Sequence, residues 1–189
     1  MKKIKSQWRL IVVAICAILI IITKSSLIEI GVVLLALEQF DRCLVCFERA
    51  LKIRRNVFGE VNAQVANAFN NVGCVFLELD ELDKAINAFY QGLQIQLKIH
   101  EQDPEDVPTK LSLAASLCNV GFVHLKMKRY AAAVQAFDEA LSLQQSILGA
   151  SHYSTWNTLD NLAFSHSKIH DYDTALDVSS LLIVLLRLL

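Results

Sequence analysis

Two stretches of the chain, DELDKAINAFYQGL at 80–93 and KRYAAAVQAFDEAL at 128–141, follow one pattern at an offset of 48 residues. A third copy, EQFDRCLVCFERAL at 38–51, lies 42 residues ahead and sets Phe47 on Phe89. A fourth, HDYDTALDVSSLLI at 170–183, lies 42 residues behind and sets Ala175 on Ala133. The segments before these copies also align: FNNVGCVFLEL (69–79), LCNVGFVHLKM (117–127) and LDNLAFSHSKI (159–169), with LIEIGVVLLAL (27–37) as a first, degenerate member. The chain thus reads as four units of about 42 residues, near 27–59, 60–101, 108–149 and 150–189. Self-similarity at such a period is the mark of a stacked array, not of a single closed core.

Each unit carries two segments of helical period. In the first, an apolar residue, a Val or Leu and a later bulky residue recur at i, i+3 and i+7, one face of a helix. In the second, Ala85, Phe89 and Gly92, and again Ala133, Phe137 and Ala140, recur at i, i+4 and i+7. Small residues at fixed places let two backbones approach, and the aromatic fills the gap between them. A hairpin of this kind cannot bury its face alone, so its neighbours must stack. The expected fold is all-α, a solenoid of helical hairpins.

These residues resemble the tetratricopeptide repeat. Its pattern of bulky, Leu, Gly, then Ala, Phe, Ala is matched by Phe69, Val72, Gly73, Ala85, Phe89 and Gly92, and by Leu117, Val120, Gly121, Ala133, Phe137 and Ala140. The long period is similar to the variant found in kinesin light chains. LGASHYSTWNTLDNLAFSHSKIHDYDTAL (148–176) is close to that group's Leu-Gly, His, Asn-Leu-Ala pattern, and FGEVNAQVANAFNNVG (58–73) is a looser match. Tyr153 departs from the family's Pro, and Ser179 and Leu182 from the Phe and Ala of the last repeat. The resemblance implies a right-handed α-solenoid of about four helix-turn-helix repeats, with the first helices lining a concave groove that holds a peptide or protein segment. Carried over by position, that groove contains Asn67, Asn70, Cys74 and Glu78 in the second repeat, Cys118, Phe122 and Lys126 in the third, and Asn157, Asp160, Phe164 and Lys168 in the fourth. Asn amides both donate to and accept from a peptide backbone, and Phe122 and Phe164 would supply apolar pockets. Asn71, Asn119 and Asn161, one position on, are expected to cap or bridge helices.

Composition narrows the function further. A net charge of −1, with no Lys/Arg cluster beyond the N-terminus, gives no electrostatic footprint for nucleic acid. Cys43 and Cys46 form a C-x-x-C, yet Cys43 aligns with Ala85, Ala133 and Ala175, and Cys46 with Ala88 and Ala136, so packing explains both. No second Cys pair or suitably spaced His pair completes a zinc site. His124 and His166 occupy equivalent places, matching Phe76, and His152 belongs to the turn between repeats. No nucleophile elbow, phosphate loop or paired-carboxylate arrangement is present. The expectation is a scaffold that is not an enzyme and takes no metal or cofactor. HEQDPEDVPTK (100–110) is six residues longer than the matching linker and is expected to be a surface loop opening the next helix.

The two ends differ from the middle. MKKIKSQWR is basic, and LIVVAICAILIII (10–22) is thirteen apolar residues long, about 20 Å as a helix against a hydrocarbon core of about 30 Å. With Thr23, Ser25 and Ser26 behind it, this apolar helix reads as a secretory signal or anchor over 1–26, a membrane contact that would turn the repeats to the lumen. A packed leading helix or a misassigned start is the alternative. The kinesin-like reading calls instead for the cytoplasm, which five unpaired cysteines also favour. SSLLIVLLRLL (179–189) is apolar nearly all round, where a terminal repeat needs a polar outer face. It is expected to meet a further repeat, a membrane or a second copy.

Overall fold

The computed structural model describes residues 27–150 and 152–187, and every element among them is a helix. Residues 27–36 form α1. There follow α2 (Phe40–Phe58), α3 (Ala63–Glu78), α4 (Leu82–Gln102), α5 (Val107–Lys126), α6 (Tyr130–Leu148), α7 (Tyr153–Lys168) and α8 (Tyr172–Arg187). The expected apolar helix at 10–22 lies outside the described residues. Each helix packs on the next in sequence, and α5 also touches α3 and α7, so the first helices of the hairpins stand in a row. Four hairpins stacked in this way make the expected α-solenoid.

Inside each hairpin the small residue and the aromatic meet as their spacing requires. A Cβ added to Gly73 would lie 2.8 Å from Phe89, and one added to Gly121 would lie 2.8 Å from Phe137. Phe47, Phe89 and Phe137 are almost wholly buried, each contributing roughly 1.5–3 kcal/mol of burial. The fourth hairpin keeps Ala163 on α7 but has Ser179 on α8, whose hydroxyl donates back to the Ala175 carbonyl at 2.8 Å.

The turn inside the hairpins is one design used four times. Glu38, Asp80, Lys128 and His170 all have φ between 56 and 64°, the left-handed region. After each, the next amide reaches back over the helix end: Glu81 N to Phe76 O at 2.8 Å, Arg129 N to His124 O at 2.8 Å, Asp171 N to His166 O at 3.0 Å. With Asp80 N to Leu77 O and Lys128 N to Leu125 O, these close the paired bonds of a Schellman cap.

The links between hairpins are equally regular, which corrects one expectation. Gly59 and Gly149 end α2 and α6 at φ 81 and 79°, where a side chain would be strained. Asn62, Asp106 and His152 then cap α3, α5 and α7 by accepting from the amides of Gln64 (2.8 Å), Thr109 (2.9 Å) and Ser154 (3.2 Å). The link at 103–106 is no longer than those at 59–62 and 149–152. The six extra residues do not form a larger loop. They lengthen α4 to 21 residues against 19 in α2 and α6, and α5 to 20 against 16 in α3 and α7. Pro108 permits this because it sits in the first turn of α5, where its missing N–H has no helical partner to lose.

Candidate functional site: the row of first helices

The groove positions lie at matching registers on α3, α5 and α7, yet they differ in depth. Asn67, Glu78, Lys126, Asn157, Asp160 and Lys168 are exposed, and Phe122 and Phe164 present 39% and 50% of their surface. Asn70 is half-buried between helices. Its Nδ2 donates to Ser116 Oγ at 3.2 Å, and its Oδ1 would lie 2.7 Å from a Cβ on Gly92. The next repeat copies this joint, with Cys118 Sγ 3.4 Å from Thr158 Oγ1 and accepting from Gln144 at 3.6 Å. These positions tie one repeat to the next. Asn161 does not bridge helices: its side chain donates to the Asn157 carbonyl of its own helix at 2.9 Å.

The third and fourth repeats share a surface unit. The ammonium of Lys126 stands 5.6 Å from the Phe122 ring centre, and that of Lys168 stands 4.9 Å from the Phe164 ring centre. Each pair is an i, i+4 cation–π contact that sets an aromatic face under a positive charge. In the second repeat the same places hold Cys74 and Glu78, so the row changes character along its length.

Phe122, Lys126, Asp160 and Phe164 meet at a cavity of about 920 Å³ between α5, α7 and α8. Asn67, Asn70, Glu78, Asn157 and Lys168 do not line it. Its α8 wall is Tyr172, Ala175, Leu176 and Ser179, none of which the repeat pattern marks as a groove residue. Its existence has a local cause. Ser179 occupies the place where the other hairpins set a buried phenylalanine, and Ala163 stands opposite. The sequence signal was the lost aromatic at 179, which marks a departure from pattern without giving its volume.

The cysteines and His124 sit in packed surroundings. Cys43 is buried and donates to the Gly31 carbonyl at 3.1 Å, and burial, with Cys46 and Cys74 nearby, pushes its thiol up to about 11. Burial likewise raises Cys74 and Cys118. Thiols held protonated are poor nucleophiles and poor metal ligands. Among the described residues no group of three His, Cys, Asp or Glu could hold a metal ion. His124 is buried with Nε2 2.9 Å from the Tyr90 hydroxyl. Burial and the Arg129 charge hold it below the usual imidazole range. The equivalent His166 has Asp171 in Arg129's place, at 2.9 Å from its Nδ1.

Comparison with known proteins agrees with this architecture. The family profile described as Tetratricopeptide repeat matches residues 23–98 and 112–179, breaking across the lengthened helix ends. A search of the curated proteins found no match. Among solved structures, BtubC (BKLC) from P. vanneervenii superposes with a TM-score of 0.73 at 16% identity, over 86% of this chain and 62% of that one. The apo form of RapI superposes with a TM-score of 0.73 at 21% identity, over 86% of this chain and 55% of that one. A putative kinesin light chain with nearly identical TPR-like repeats from Podosopora anserina gives 0.68 at 14% identity, over 86% and 74%. The chain therefore spans less than two thirds of the length of the first two, and at these identities the likeness is one of fold. With the profile covering most of the chain, the protein belongs to the tetratricopeptide-repeat family.

Proposed function

We propose that the protein is a non-enzymatic scaffold, similar in kind to the kinesin light chain adaptors, that holds an extended peptide or protein segment along its first helices. The observation that carries this reading is the convergence of Phe122, Lys126, Asp160 and Phe164 on one 920 Å³ cavity. Its apolar walls suit a bulky side chain, and its charged rim and the exposed Asn157 suit the flanking backbone. Fluorescence anisotropy with a panel of synthetic extended peptides, varied in apolar and charged content, tests it. Removing both aromatic anchors with Phe122→Ala/Phe164→Ala is expected to weaken the best binder by at least about 30-fold, the scale of a central hot spot. Helicity should be unchanged. No binding by any peptide, or equal binding by the variant, would contradict the reading.

We infer as a second reading that residues 10–22 tether the repeats to a membrane, favoured by their unbroken apolar run behind a basic segment. Among the described residues, no helix is long and apolar enough to cross a membrane. Protease protection of a C-terminal tag in membrane vesicles separates the cases: a protected tag places the repeats in the lumen, and a digested or freely soluble tag favours a cytoplasmic adaptor.

A further inference from the structure

The two ends of the array expose opposite halves of an interface that the interior closes three times. Ile30 of α1 corresponds to Val72, Val120 and Leu162, and Val33 corresponds to Val75, Val123 and Ser165. All six interior residues are buried, the last three completely. They are covered because each first helix lies on the second helix of the preceding repeat: Val72 and Val75 share one apolar cluster with Cys43 and Phe47 of α2. On α1 the same two positions are 49% and 58% exposed.

At the other end, Leu176 and Ile183 of α8 correspond to Ile86 and Leu93 of α4. Ile86 and Leu93 are buried in a cluster with Leu113 and Leu117, from the first helix of the following repeat. Their other counterparts, Leu44, Leu51, Val134 and Leu141, are half-buried. Leu176 and Ile183 are 65% and 50% exposed. Thus α8 presents the surface that a following first helix covers, and α1 is a first helix whose covering face is open.

We propose that copies of this protein associate head to tail, α1 of one seated on α8 of the next, continuing the interface that joins α2 to α3, α4 to α5 and α6 to α7. The partner is a second copy because the chain itself carries both complementary faces in the register its interior uses. Such a contact is heterologous, so it adds copies in a chain and does not stop at a symmetric pair. It shares Leu176 with the α8 wall of the cavity but involves neither Phe122 nor Phe164.

Sedimentation velocity of the full-length protein in a mild non-ionic detergent tests it. The weight-average mass of the wild type is expected to climb with concentration across about 1–100 µM. Val33→Glu and Ile183→Glu alter exposed positions, so each should stay folded, and each alone should remain at the 21.2 kDa monomer mass. An equimolar mixture of the two should form a species of two copies and nothing larger, since one variant keeps an intact α8 face and the other an intact α1 face. A wild type that stays monomeric over the range overturns the proposal. So does association that persists in either single variant, as contact through 10–22 or a symmetric α8 pair would give, or a mixture that forms no dimer. Phe122→Ala/Phe164→Ala should assemble like the wild type, which keeps loss of peptide binding and loss of assembly separately readable.

Discussion

At the scale of single residues, the array is held by contacts with almost no slack. Gly121 meets the face of Phe137, an aromatic ring that is buried and cannot swing away. Gly121→Ala is therefore expected to cost about 1–3 kcal/mol by overpacking, read by urea denaturation. The fourth hairpin is the converse case. Ala163→Gly with Ser179→Phe should rebuild the missing pair and stabilise the protein by about 1–2 kcal/mol, whereas Ser179→Phe alone meets the Ala163 methyl and gains less. His124 adds a pH dependence. Its folded-state affinity for a proton is below that of the unfolded chain, so stability is complete above the unfolded imidazole value of about 6.5 and falls as pH drops below it. His124→Phe, which copies Phe76, should flatten the melting temperature below about pH 6.5 while losing the Tyr90 hydrogen bond. The small–aromatic pairs and the structural role of Cys43 were legible because repeated spacing states them three or four times over. The burial of Asn70 was not, because periodicity assigns a helix face but not how closely the next repeat closes over it.

At the scale of elements, the helix ends carry as much information as the helices. Asp106 caps α5 through Thr109, an arrangement that holds its carboxyl below the usual range. Asp106→Ala is expected to destabilise the protein, measured as a lower denaturation midpoint with unchanged slope. The turn residue Lys128 stands at φ 58°, so Lys128→Gly relieves strain of up to about 1–2 kcal/mol, offset in part by the greater freedom of glycine in the unfolded chain. A modest rise in melting temperature is the expected sum. Sequence reading located the link containing His152 from aligned repeats alone. It misplaced the six extra residues, reading two prolines and a run of acids as loop, because Pro108 is as compatible with a first helical turn as with coil.

At the scale of the whole molecule, stacking makes a surface that changes along its length. The second repeat offers Asn67 and Glu78, and the third and fourth offer aromatic rings under lysines beside the cavity. Fold class followed from the period, since hairpins that cannot bury their own faces must stack, and the row of first helices followed from the family resemblance. Where the row opens into a cavity depended on α8, whose departures from pattern are visible in the sequence only as losses. The groove account is tested most directly by hydrogen–deuterium exchange of the protein with and without the tightest peptide of the panel. Slowed exchange confined to α5 and α7, over residues 118–126 and 157–168, with the facing wall of α8, is the predicted result. Protection falling on α2 and α4, or no change in any segment at saturating peptide, would contradict it.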